Sequence, residues 1–227
     1  MRTIAIGLVI LLAGCAASNP TGRGVNDYTL AILLSGARAS ELDETAVAKA
    51  SAGHRAHIEK LGAEGTLLLA APFGEPRAHE SWRGIYVLDS IDIDQAHELV
   101  KADPSIVAGL FELKLMPWRS DVDLRPMRAE LERGKAAGAP FVPAAYVMAI
   151  GELGGRARDA LRLREGNGQI ICAGELGGER EGQVLLLLTA ETVEEARAWL
   201  ESGALDAHWE LSSLWATDLL GDLAEGD

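Results

Sequence analysis

The chain has 227 residues, 48% of them hydrophobic, and sets 21 Lys+Arg against 34 Asp+Glu for a formal net charge of −13 at pH 7. That balance argues against nucleic acid and anionic lipid as partners, since both are held by basic surfaces. A chain of this length buries roughly 70% of its unfolded surface and needs no disulfide staple.

The first segment is Met1, Arg2, Thr3, then an apolar run Ile4 to Leu12 and Ala13-Gly14-Cys15. One basic residue, a short apolar run and small residues make a secretory signal peptide, and the run falls short of the ~20 residues that cross a bilayer. Leu12-Ala13-Gly14-Cys15 resembles the lipobox of bacterial lipoproteins. The expectation is cleavage after residue 14 and acylation of Cys15, with residues 15–26 as a flexible tether. An ordinary signal peptide with a coincidental cysteine is the alternative. Ala16 in place of Asp implies a cell-envelope protein of the outer membrane, facing the periplasm and touching membrane only through its lipid. Cys172, in the apolar run Gln169 to Ala173, then has no disulfide partner and reads as a small buried hydrophobe.

Tyr28 to Leu34 predicts a strand, Glu41 to Ala63 a helix ended by Gly65, and Thr66 to Ala71 a second strand. A third strand is expected over Gly84 to Leu88, a helix over Ile93 to Val100 closed by Asp103-Pro104, and a half-buried strand over Leu110 to Met116 closed by Pro117-Trp118. The order β-α-β-β-α-β is the ferredoxin-like split unit. Arg119 to Pro143 reads as a charged connector with a helix over Met127 to Lys135.

A second copy follows. It has strands at Tyr146 to Ile150, Gly168 to Ala173, Val184 to Leu188 and Ala207 to Leu214, and helices at Arg156 to Arg164 and Val193 to Leu200. Helices on one face of such a sheet leave its other face apolar and bare, so two units stack those faces. The predicted fold is therefore α+β: tandem ferredoxin-like repeats forming an intramolecular dimeric α+β barrel, a monomer that is its own pseudo-dimer. The boundaries are 27–118 for the first domain, 119–143 for the linker and 144–220 for a degenerate repeat.

Among titratable residues, His54 shares a helical stripe with Val47, Ile58 and Leu61 and so faces the sheet or a pocket beside it. Imidazoles change charge near neutrality and suit acid–base work, but the same placement suits a core histidine satisfied by hydrogen bonds. Asp103, before Pro104, reads locally as a helix stop, where the macrodipole disfavours a carboxylate. His54, His57 and His79 have no Cys or carboxylate at a metal-ligand spacing, so no metal is expected. Gly151-Glu152-Leu153-Gly154-Gly155 and Gly174-Glu175-Leu176-Gly177-Gly178 are neither dinucleotide nor P-loop motifs, and no cofactor is expected. Trp199, Trp209 and Trp215 read as core filling.

His54, Leu61, Ala63-Glu64-Gly65-Thr66-Leu67-Leu68, Ala71-Pro72, Arg83-Gly84, Ala96, Ala102-Asp103-Pro104, Gly109 and Pro117-Trp118, in that order, resemble the YCII-related (YciI-like) family over residues 28–118. In that family a helix histidine lies eleven residues before a glycine, as His54 does before Gly65. Ala71 departs from the glycine common before the proline. The resemblance implies a dimeric α+β barrel with a cleft between sheet and helices. His54 and Asp103 would be its catalytic pair, with His54 transferring protons and Asp103 orienting the ring. Pro72, Phe73, Arg83 and Gly84 would line the cleft. One characterised branch of the family eliminates chloride from a chlorinated hydroxyquinol.

In the second copy His54 aligns with Ala157 and Asp103 with Gly203, so at most one site per chain is expected. Two functions are compatible with this pattern. One is a lyase or isomerase acting on a small cyclic or enolisable substrate. The other is a non-catalytic lipoprotein that binds a small molecule or a protein.

Overall fold

The computed structural model describes residues 26–153, 168–202 and 208–224. The first strand, β1 (Asn26–Ser35), is buried without alternation from Tyr28 to Leu33, because both of its faces are covered. Helix α1 (Glu44–Ala63) starts at Asp43, whose carboxylate accepts from the Ala46 N–H, and ends before Gly65, which sits at φ 73°. Glu41, expected inside this helix, lies in the preceding turn. Strands β2 (Leu67–Pro72) and β3 (Trp82–Leu88) follow. Helix α2 (Ile93–Val100) is capped by Asp92, and a further turn, α3 (Pro104–Val107), precedes β4 (Phe111–Ser120). β4 outruns its expected end at Pro117, whose carbonyl accepts from the Gly177 N–H.

The connector holds helix α4 (Arg125–Ala136). Beyond it come β5 (Pro143–Glu152), β6 (Ile170–Leu176), β7 (Gln183–Leu188), α5 (Val193–Ser202), β8 (Trp209–Thr217) and the short α6 (Leu219–Asp222). The helix expected over Arg156 to Arg164 lies outside the described residues, as do Ala157 and Gly203.

All eight strands join one antiparallel sheet in the order β2-β3-β1-β4-β6-β7-β5-β8. Each run of four follows the same order: second, third, first, fourth. The runs meet where Trp118 faces Leu176 and Ser120 faces Gly174. At the far edges Phe73 bridges Leu214, and the Gly74 N–H reaches the Ser213 carbonyl at 2.9 Å. The sheet thus curls into a nearly closed barrel.

Three apolar layers result. The central one stacks the inner faces of both runs, with Tyr28, Leu30, Ile32 and Trp118 against Tyr146, Met148, Leu185 and Leu187. An outer layer packs α1 and α2 on the first run through Leu61, Ala96 and Val100, and another packs α5 on the second through Val193, Ala196 and Leu200. Each fully buried large side chain contributes roughly 1.5–3 kcal/mol of transfer free energy. Of the tryptophans, Trp209 is buried and Trp199 packs against the outer layer. Trp215 departs from its expected core role: it is 47% exposed, on the outward side of β8.

At the junction of the runs, a Cβ on Gly174 would sit 2.2 Å from Trp118 Nε1 and 2.4 Å from the Arg119 carbonyl oxygen. Gly174→Ala is therefore expected to lower stability by about 1–3 kcal/mol through overpacking. Urea unfolding followed by tryptophan fluorescence measures the loss, and an unchanged midpoint would show that the junction yields freely.

Candidate active site

Helix α1 carries His54 on its sheet-facing side, and α3 brings Asp103 to it. Helix α2 stops at Val100, and Asp103 is the N-cap of α3 with Pro104 at the first helical position. The expectation of a carboxylate stranded at a helix C-terminus is thereby corrected: Asp103 ends nothing and begins a turn, where the backbone N–H groups favour it. The close approach depends on Gly53, since a Cβ there would meet Pro104 Cβ and Cγ at 2.7 Å.

His54 Nδ1 lies 2.8 Å from Asp103 Oδ2. The carboxylate has no exposed surface, whereas the His54 side chain is 16% exposed. Four donors converge on Asp103. The Ser105 N–H and hydroxyl reach Oδ1 at 2.8 and 2.7 Å, and the Tyr86 hydroxyl reaches Oδ2 at 3.2 Å beside His54. Burial would raise the Asp103 carboxyl, but the bonds from His54 and Ser105 outweigh it and hold the group below its usual range. Burial first, and then the charge of Asp103 and its hydrogen bond, push the Tyr86 phenol far up, so it keeps its proton.

Donor accounting assigns the imidazole tautomer. The single protons of Tyr86 and Ser105 are directed at an ionised carboxylate that can only accept, so Nδ1 must donate as well. Nε2 is then the unprotonated nitrogen of the neutral ring. Phe111 meets the ring edge-on at 5.3 Å and Tyr86 stacks at 5.9 Å, which fixes its plane.

His54 opens onto a cavity of about 570 Å³ between α1, the first run of strands and α4. Pro72, Arg83 and Gly84 line it, as does Tyr86. Phe73 does not. It is 8% exposed and stacks on Trp82 at 5.6 Å in the central layer. The connector is a wall of this cavity, supplying Arg128, Leu131 and Lys135. Two other histidines serve different partners: His57 Nε2 bonds the Leu99 carbonyl at 3.0 Å, and His79 pairs with Glu210 at 3.4 Å. Among the described residues no three His, Cys, Asp or Glu side chains gather to hold a metal.

Residues 30–119 match the model of the YCII-related domain. The YjpA protein of Bacillus subtilis (strain 168) is 31% identical over 68 residues, which span 30% of this chain and 74% of that protein. The chain belongs to the YCII-related family. Among solved structures it is similar to the siroheme decarboxylase NirDL, at 9% identity and a TM-score of 0.45 over 86% of this chain and 72% of that one. The same values hold for NirDL in co-complex with an iron-uroporphyrin III analogue.

Sequence reasoning did not single out Gly53, Tyr86, Ser105, Phe111 or the wall from α4 as parts of this YCII-related site. Two signals were available. Tyr86 is two residues from Gly84 on one strand and so shares its face, and Asp-Pro-Ser is an N-cap followed by a first-turn proline.

Two outcomes follow from this geometry. Gly53→Ala is expected to cost about 1–3 kcal/mol by overpacking, and to part His54 from Asp103. Urea unfolding and the NMR signal of the hydrogen-bonded Nδ1 proton read both effects, and a retained signal would contradict the second. The second outcome concerns pH. Because the Asp103 carboxyl lies below its unfolded value, its stabilisation is complete above the ordinary carboxyl pKa of ~3.9. It is lost as pH falls through the folded value. Urea midpoints from neutral pH down into this window should fall more steeply for wild type than for Asp103→Asn; parallel curves would refute the assignment.

Proposed function

We propose that the chain is an acid–base enzyme of the lyase or isomerase type, acting on a small cyclic or enolisable substrate. The observation that carries this reading is the 2.8 Å bond between His54 Nδ1 and Asp103 Oδ2 beside an open cavity of about 570 Å³. His54 Nε2 takes a proton from a carbon next to a carbonyl, and the electron pair moves into the enolate. The ionised Asp103 stabilises the imidazolium and keeps the ring in place without accepting its proton. His54 then returns the proton to another atom of the substrate, giving an isomer. Alternatively, a leaving group departs with its electron pair, giving an elimination.

The reading extends to the rest of the chain. We infer a tandem of two ferredoxin-like units, on the grounds of their shared strand order. The second unit holds Ala157 and Gly203 where the first has its pair, and so serves as scaffold. We also propose that Cys15 is acylated and that residues 15–26 tether the barrel to the outer membrane on its periplasmic side. Labelled palmitate should be incorporated into the wild-type protein and not into Cys15→Ala, and equal labelling of the two would refute the anchor.

The enzymatic reading is tested with a panel of enolisable keto acids and chlorinated hydroquinones. Solvent deuterium incorporation and chloride release are followed for wild type and His54→Gln. Wild type should exceed buffer for at least one member, and His54→Gln should lose about 10²–10⁴ of that rate, the usual worth of a positioned acid–base group. Rates equal to buffer across the panel, or insensitive to the substitution, would overturn it and leave a non-catalytic binding protein.

A further inference from the structure

The cavity beside His54 has an electrical character opposite to that of the whole molecule. The chain carries a formal net charge of −13. Yet the cavity is lined by Arg55 of α1, Arg83 of β3, and Arg128 and Lys135 of α4, with no Asp or Glu in its lining. Asp103, the nearest carboxylate behind His54, has no exposed surface.

These cations are not neutralised in the ordinary way. Arg128 and Lys135 share one carboxylate, that of Glu132. Arg128 is also held by the Gly62 carbonyl, where a Cβ would strike its guanidinium. Neither Arg55 nor Arg83 has an ion-pair partner among the described residues. Arg83 Nη1 donates to the Glu80 and Trp82 carbonyls at 2.9 and 3.3 Å, which fixes the guanidinium while leaving its charge uncompensated. Between the cations the walls are apolar: Leu33, Ile58, Leu68, Leu69 and Phe111. In an acidic protein, cations drawn from three elements around one apolar hollow constitute a recognition element for an anion with an apolar body. The volume of about 570 Å³ lies within the roughly 300–1,000 Å³ typical of small-molecule sites.

We propose that the ligand of this cavity is a small anion, a carboxylate or phosphate ester on an aromatic or alicyclic body. Arg83 and Arg55 receive the charged group, and the ring lies against Phe111 near His54 Nε2. The inference names the substrate class of the acid–base site and rests on that reading, but its test is binding and not turnover.

The probes are phenylpyruvate, its methyl ester and phenyl phosphate, titrated calorimetrically into the full chain at low and high salt. Phenylpyruvate should bind at least about tenfold tighter than the ester, the worth of one charge-assisted bond. Added salt should weaken the acid and leave the ester unchanged. Arg83→Gln and Arg55→Gln should each lose about fivefold or more for the acid only, and Arg83→Lys should recover part of the loss. Tighter binding of phenyl phosphate than of phenylpyruvate would support the inference and assign the phosphate ester; the reverse order would assign the carboxylate.

Equal affinity for acid and ester would overturn the inference, as would no binding of either anion, or full affinity in both arginine variants. Urea midpoints of the variants separate lost charge from lost folding. Salt-sensitive binding of phenylpyruvate with deuterium exchange unaffected by His54→Gln would refute the acid–base reading and leave the anion site standing. Exchange catalysed only on the neutral ester would do the reverse.

Discussion

A sheet covered by helices on one side must find something apolar for its other side. Here each run of four strands carries its described helices outward, α1 and α2 on the first and α5 on the second, and the remaining faces press together as the central layer. The burial of the strands and the footing of the outer helices follow from that stacking. It makes β1, β5 and β7 continuously buried, brings β2 round to β8, and gives the outer helix α1 a rigid floor from which to present a side chain.

The reactive geometry is set by a contact between two helices and not by the barrel itself. His54 and Asp103 are 49 residues apart in the chain and meet because glycine at position 53 lets Pro104 lie against α1. Burying a carboxylate is costly unless it is hydrogen-bonded, and Asp103 is bonded at both oxygens. Those bonds keep it ionised and hold the imidazole edge-on to Phe111. The ring therefore lines the cavity with its orientation fixed before any ligand arrives.

Much of the strand and helix pattern was legible in the sequence, because apolar runs, caps and glycines act locally. The pairing of His54 with Asp103 was legible only through family motifs. Spacing placed the histidine on the inner stripe of α1 but said nothing about α3 arriving opposite it. Asp103 was misread by local rules because Asp-Pro reads as a helix stop, whereas α2 already ends at Val100 and Asp103 caps the turn that follows. Phe73 follows Pro72 but leaves the cavity for the central layer, a turn that depends on the bridge to Leu214 in the other run of strands. Trp215 illustrates the opposite error: a large aromatic ring counted as filling lies on the outward side of its strand. The charge of the cavity is a sum over α1, β3 and α4, distant in sequence, and no window along the chain contains it.

Helix α4 belongs to neither run of strands, yet it forms one side of the hollow facing His54 and rests on α1, β2 and α6. Its inward residues Leu131 and Lys135 contribute to no apolar layer of the barrel. Drift at these two positions remodels the mouth of the hollow while the stacked sheets and the hydrogen-bonded imidazole stay as they are. This side of the hollow can thus change its shape and charge at two positions on which no apolar layer depends.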